Sequence, residues 1–195
     1  MPFDDEPLTL HVEVVPYREA WASEGRALCN WLTREMPEAA AVDHIGSTAV
    51  PGLAAKDCID VMVQIPRLDG KFLAEALLAR GYRRRPEDWN NEESAWGATC
   101  PKQVFAPPAG SRSCNIHIRP AGSLTAMYAL LFRDYLRANP QMAAAWGSFK
   151  SRLAAHTTNL LDYGQLKEPA QEILMLAAKA WAQEVGWPRS WVGER

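Results

Sequence analysis

Cysteine is scarce in this 195-residue sequence, and no two of Cys29, Cys58, Cys100 and Cys114 form a CxxC pair. That spacing lacks the signature of a structural zinc site, and reduced thiols in a cytoplasm are the expectation. No stretch reaches the roughly 18 consecutive apolar residues that a membrane helix needs. The start, MPFDDEPLTLHVEVVP, is acidic where a secretory leader is basic, so no leader is expected. Charge of one sign is also missing: 21 Lys and Arg against 23 Asp and Glu leave a formal net charge of −2. Such a chain has no electrostatic basis for wholesale binding to nucleic acid or an anionic membrane. It also lacks the basic run that would favour an RNA-directed transferase. The phosphate-binding loop GxxxxGK[ST] does not occur, and neither do repeats or low-complexity segments. What is present is an ordinary globular composition, 48% hydrophobic and 23% charged, long enough to bury a core.

Residues 9–15 alternate well enough for a short strand or an extended lead-in. After Pro16, the residues Trp21, Leu28, Trp31 and Leu32 recur at helical spacing, which predicts a helix that stops before Pro37. Residues 42–47 read as a strand ending at a Gly-Ser pair. In the run 59–65, Ile59, Val61, Val63 and Ile65 share one face. Asp60, Met62 and Gln64 share the other, which is expected to face solvent. Residues 72–78 predict a helix closed by Gly81. Residues 82–86, 99–106 and 113–119 predict three more strands, with a polar loop, EDWNNEESAWG, between the first two. In the last of them Asn115, His117 and Arg119 point away from the apolar positions. Beyond residue 120 only helices are predicted, over 123–138, 140–156 and 165–185. The class is therefore α+β: an α/β core over residues 1–120 and a helical region over 121–195 packed on it.

The chemistry concentrates in residues 43–63, DHIGSTAVPGLAAKDCIDVMV. A Gly-Ser pair at a strand end offers free backbone N–H groups and a hydroxyl, the groups that bind phosphate oxygens. A carboxylate on the next strand could hold Mg²⁺ against that phosphate, because magnesium takes hard oxygen ligands. Together they would position a nucleotide and a metal for in-line phosphoryl transfer. The bland reading is a tight turn leading into a buried strand.

The block HIGSTAVPGLAAK followed by IDVMV resembles the signature of the GrpB-like family, a branch of the nucleotidyltransferase superfamily with the polymerase-β-like fold. The superfamily pattern is an apolar residue, Gly, then Gly or Ser, a gap, and two acidic residues flanking an apolar one. Ile45, Gly46, Ser47 and Asp60 match it. The stretch LLFRDYLRANPQMAAAWGSFKSRLA, with Lys150 inside it and Tyr163 and Lys167 beyond it, resembles the family's helical C-terminal half. The resemblance thus spans nearly the whole chain. It implies a nucleotidyltransferase-like mixed sheet with flanking helices, and a C-terminal helical bundle across the mouth of the site. The implied ligand is a nucleotide or another phosphorylated small molecule, and the implied reaction is nucleotidyl transfer to a hydroxyl or amine. The implied cofactor is a divalent metal, Mg or Mn. The family also occurs fused to dephospho-coenzyme A kinase; with no phosphate-binding loop, this chain reads as the stand-alone form.

The sequence departs from the superfamily pattern at Met62, a thioether where a second acid would stand. Asp57 does not replace it, being three residues from Asp60. The third acidic position falls at His117. Asp60 and His117 are thus the candidate catalytic and metal-holding pair, able to take one divalent ion or to transfer a proton without metal. Gly46, Ser47, Thr48, Lys56 and Arg133 are the candidate phosphate contacts. Each has a plainer alternative: Ser47 and Thr48 as turn caps, Lys56 as a solvated lysine, Arg133 and Arg137 as ion pairs to the core. His44 reads as a hydrogen-bonding support, and Trp21, Trp31 and Trp181 as core. Trp187 and Trp191 are expected to pack back on the domain. The rival to an enzyme is a catalytically degenerate domain that serves as an interaction or regulatory module.

Overall fold

The computed structural model describes residues 3, 11–68 and 71–187. Residues 9 and 10 of the expected lead-in, and Trp191, lie outside the described residues. The elements are α1 (Ala20–Glu35), β1 (Ala41–Ile45), β2 (Ile59–Ile65), α2 (Lys71–Leu78), β3 (Arg83–Arg84), β4 (Glu92–Ala95), β5 (Ala98–Pro101), β6 (Gln103–Ala106) and β7 (Cys114–Pro120). Three helices follow: α3 (Leu124–Ala138), α4 (Pro140–His156) and α5 (Leu160–Val185). Five strands form one mixed sheet in the order β1-β2-β7-β6-β3, with β2 and β7 parallel and the other neighbours antiparallel.

The alternation in β2 sorts its side chains as expected. Ile59, Val61, Val63 and Ile65 pack with Ile116 and Ile118 of β7, Phe105 of β6, and Trp21 and Leu32 of α1. Each such side chain, fully withdrawn from water, contributes roughly 1.5–3 kcal/mol. The opposite face is not open to solvent. Met62 is fully buried and packs with Ile45 and with Ala126 of α3, and Gln64 is only 8% exposed. A central strand covered on both faces reads as near-continuous burial, and only Asp60 escapes it.

A second core lies among α3, α4 and α5, and Val50 and Leu53 from the segment after the Gly-Ser pair are part of it. This segment is clamped between the sheet and the helices. Gly147 of α4 allows a close approach: a Cβ there would stand 3.3 Å from Leu53 and 3.6 Å from the Ala54 nitrogen.

Several boundaries differ from expectation. The predicted strand over 99–106 is two, β5 and β6, and the predicted polar loop contributes β4. A turn at Trp96 and Gly97, both at positive φ (51° and 80°), folds β4 onto β5 as a separate hairpin. Positive φ at two successive turn residues matches the twist of a two-residue hairpin. α1 begins at Ala20, well after Pro16. Finally, α5 starts at Leu160 because Asn159 caps it, its side-chain oxygen accepting from the Asp162 amide at 2.9 Å. Trp187 does pack on the helices, its indole N–H donating to Asp134 at 3.2 Å.

Candidate functional site

β1 ends at Ile45, which pairs with Asp60 of β2. The next residue, Gly46, turns the chain with φ 70° and ψ −169°, a region that is essentially glycine's alone. A Cβ at Gly46 would stand 2.8 Å from Asp60 Oδ2, so the carboxylate lies directly against the bend. Ser47, Thr48 and Ala49 then form a single 3₁₀ turn.

That turn points its hydroxyls in different directions. Ser47 Oγ accepts from Lys150 Nζ of α4 at 2.8 Å, and Lys150 also donates to the Ala54 carbonyl at 2.6 Å. Thr48 Oγ1 instead hydrogen-bonds His44 Nε2 at 3.0 Å and is buried. His44 is therefore the support that sequence suggests, and burial pushes its pKa down to about 4, with Asp60 opposing and Arg137 and Arg133 adding to the fall. His44 and Thr48 line a cavity of about 710 Å³ together with Tyr17, Arg26, Cys29 and Arg137. It lies between α1 and the C-terminal helices, and Asp60 is not part of its lining.

On the Ser47 side, the parallel register sets Asn115 beside Asp60 and His117 beside Met62. Asp60 Oδ1 accepts from Asn115 Nδ2 at 3.0 Å and faces His117 Nε2 at 3.4 Å. The two side chains keep 31% and 19% exposure, so the pair is reachable from solvent. Burial raises the Asp60 carboxyl, but His117, Asn115 and the Lys56 charge together outweigh it and hold it below the usual carboxylate value. Burial lowers His117 against the pull of Asp60, so the ring is neutral at pH 7 and fits the tautomer that donates from Nε2. Its Nδ1 is buried without a hydrogen-bond partner among the described residues.

Three lysines gather at this side. Lys56 is exposed and close enough to Asp60 to lower its pKa. Lys150 is only 4% exposed. Burial drives its pKa down to about 7, Lys167 and Lys56 push the same way, and Asp60 opposes them. Lys167 of α5 donates to Gln171 at 2.9 Å and is lowered by burial and by Lys56. Tyr163 is not brought here: it is buried with Val12 and Ala154.

Arg133 takes up the ion pairs that were its plainer alternative. Its guanidinium donates to Asp43 at 3.1 Å, the His44 carbonyl at 3.2 Å and Asp134 at 2.7 Å. Arg137 donates to the Ala49 carbonyl at 2.9 Å. Both hold residues 43–49 onto α3, and the register puts Asp43 on the same face of the sheet as Asp60, so the Arg133 guanidinium is engaged in ion pairs on that face. Asp57 likewise belongs to the architecture, bound by Trp21 Nε1 at 2.7 Å, by Arg112 and by Arg18.

The donor set fits a resident divalent cation poorly. Asp60 and His117 offer one carboxylate oxygen set and one imidazole, and Met62 adds only a thioether that is fully buried. Among the described residues no three His, Cys, Asp or Glu side chains cluster as metal ligands. The network that sequence reasoning missed is Glu93 of β4 with Arg119 and Lys102. Glu93 takes two hydrogen bonds from Arg119, which is 6% exposed, and one from Lys102 at 3.0 Å. Burial raises the Glu93 carboxyl, yet the two cations bring it down to about 2. The signal was Arg119 itself, since an arginine on a buried strand face requires an acid.

Residues 11–175 match the family model described as GrpB protein. The chain is 32% identical to a dephospho-CoA kinase of Mycolicibacterium paratuberculosis, over 90% of this chain and 48% of that one. It is 30% identical to UPF0157 protein YqkA of Bacillus subtilis, over 87% of this chain and 48% of that one. The chain thus spans about half the length of these two relatives. The crystal structure of GrpB from Enterococcus faecalis superposes with a TM-score of 0.71 at 26% identity, covering 87% of this chain and 99% of that one. A slighter likeness, TM-score 0.47 at 19% identity over 70% of this chain and 42% of that one, is to Cid1 in complex with its short product ApU; at that level it bears on nothing further. With most of its length matched, and with its fold shared by a solved member, this chain belongs to the GrpB family.

Proposed function

We propose that this protein binds a nucleotide or another phosphorylated small molecule in the manner of a nucleotidyltransferase. The observation that carries the reading is the bond from Lys150 to Ser47, beside a glycine bend that presses on Asp60. A hydroxyl, a turn of backbone amides and a buried ammonium converge where a phosphate would sit. Gly46 and Ser47 cradle the phosphate in this reading, and Lys56 and Lys150 neutralise it. Asp60 with His117 is the polar centre, poised to take the proton of an attacking hydroxyl or amine while pyrophosphate leaves. No helix among the described residues is long and apolar enough to cross a membrane, and the cytoplasm is the compartment in which such ligands are met. The kinase named in the Mycolicibacterium relative belongs to a protein of which this chain matches 48%, and that activity is not part of the reading.

Calorimetry or thermal shift against nucleoside triphosphates tests it, and silence at millimolar ligand would end it. A second reading keeps the binding and drops the turnover. It is favoured by Met62, which leaves Asp60 without the second acid of its superfamily pattern. Release of pyrophosphate in the presence of any acceptor would decide against that reading.

A further inference from the structure

Resting on the phosphate-binding reading, we infer that the site neutralises a di- or triphosphate with lysine ammonium groups in place of a divalent metal. A metal-centred phosphate site gathers carboxylates, and the metal reverses their charge. Here the balance is inverted from the start: Lys150 bonds Ser47 at the bend that presses on Asp60, Lys56 and Lys167 share the field of that carboxylate, and of the three Lys167 also feels Glu168. The other acid near the pair, Glu93, is consumed by Arg119 and Lys102.

The carboxylate itself is engaged. Its Oδ1 accepts from Asn115 and faces His117, and its Oδ2 lies against the Gly46 bend. A cation entering there would displace those contacts and meet three ammonium groups of its own sign. Lys150 supplies the complementary argument. It is buried, its three N–H donors meet only a hydroxyl and a carbonyl, and no carboxylate pairs with it among the described residues. A buried ammonium without a counter-ion is unstable in that form, and an anion seated at Ser47 supplies what the fold withholds. Burial has already brought its pKa to about 7, so a phosphate arriving there would restore its full charge.

The test is calorimetric titration of sodium tripolyphosphate, first in EDTA and then in excess MgCl₂. The inference expects binding in EDTA at least as tight as in magnesium, because the free anion carries more charge than its metal complex. Lys150→Met should weaken binding about tenfold or more, as the loss of one charge-assisted contact does. Asp60→Asn, which removes the carboxylate lying against the Gly46 bend, should tighten metal-free binding severalfold. Binding that requires magnesium, or that is lost in Asp60→Asn, overturns the inference and leaves the phosphate reading standing. No binding in either buffer overturns both. The comparison of buffers uses the unaltered protein, so a variant that failed to fold would not rescue the idea.

Discussion

Two groups of cations around the Gly46–Thr48 turn do opposite work. The arginines of α3 are tied into the fold: Arg133 holds Asp43, Asp134 and the His44 carbonyl, and Arg137 holds the Ala49 carbonyl. Lys150 and Lys167 instead donate to hydroxyl, carbonyl and amide oxygens. The same contrast separates Asp57 from Asp60, three residues apart. Asp57 is locked by two arginines and a tryptophan, while Asp60 is held by an asparagine and a neutral histidine. Charges matched within the fold support architecture. Charges left facing neutral groups remain available for a ligand.

Breaking the turn itself should have the largest effect. Gly46→Ala puts a methyl group 2.8 Å from Asp60 Oδ2 at a positive φ, and should cost about 3 kcal/mol in urea unfolding. Next come the arginines of α3. Arg133→Met strands Asp43 and Asp134 in a half-buried setting and should cost about 2 kcal/mol, yet change tripolyphosphate affinity less than about threefold. If Arg133→Met weakened binding as strongly as Lys150→Met, the two groups of cations would not be distinct.

The opposite sign is expected for Lys150. Lys150→Met should stabilise the free protein at pH 7 by about 1–2 kcal/mol, since it removes a buried group whose charged form is disfavoured. The corresponding pH dependence follows from its folded pKa of about 7 against an ordinary 10.5. Between those values the unfolded chain carries more protons than the folded one, so stability should rise with pH through that window. The Lys150→Met variant should lose this rise. Phosphate affinity should move the other way and fall as pH rises through 7, with Lys56, Lys167 and Asp60 as the neighbouring charges. His44 gives the acid-side counterpart. Its folded pKa of about 4 lies below the ordinary 6.5, so the unfolded chain takes the proton first and stability should fall from pH 6.5 toward 4. His44→Gln should flatten that fall. The smallest effect belongs far from the turn: Leu176→Ser, on an exposed position of α5, should shift stability by less than about 0.5 kcal/mol.

Much of the fold was legible because period and punctuation are local. The alternation of 59–65 and 113–119 placed Asp60 with Asn115 and His117 on one face, and α4 was delimited by Pro140 and His156 as expected. The misreadings were local signals overruled by distant ones. The polar run EDWNNEESAWG looked like a loop until Arg119, buried on β7, drew Glu93 into a hairpin. The face of Met62 looked solvent-exposed until α3 covered it. Arg133 was a candidate phosphate contact and Lys150 only a position in the stretch that resembles the family's C-terminal half; the partners each one found are read from the structure alone.

By itself the sequence determined the α+β class, the family and the bend at Gly46, since these depend on periodicity and on one residue without a Cβ. Tertiary structure decided which cations are spent and which remain. That choice turns on distances between α3 or α4 and a segment roughly a hundred residues earlier, and no local pattern encodes such distances.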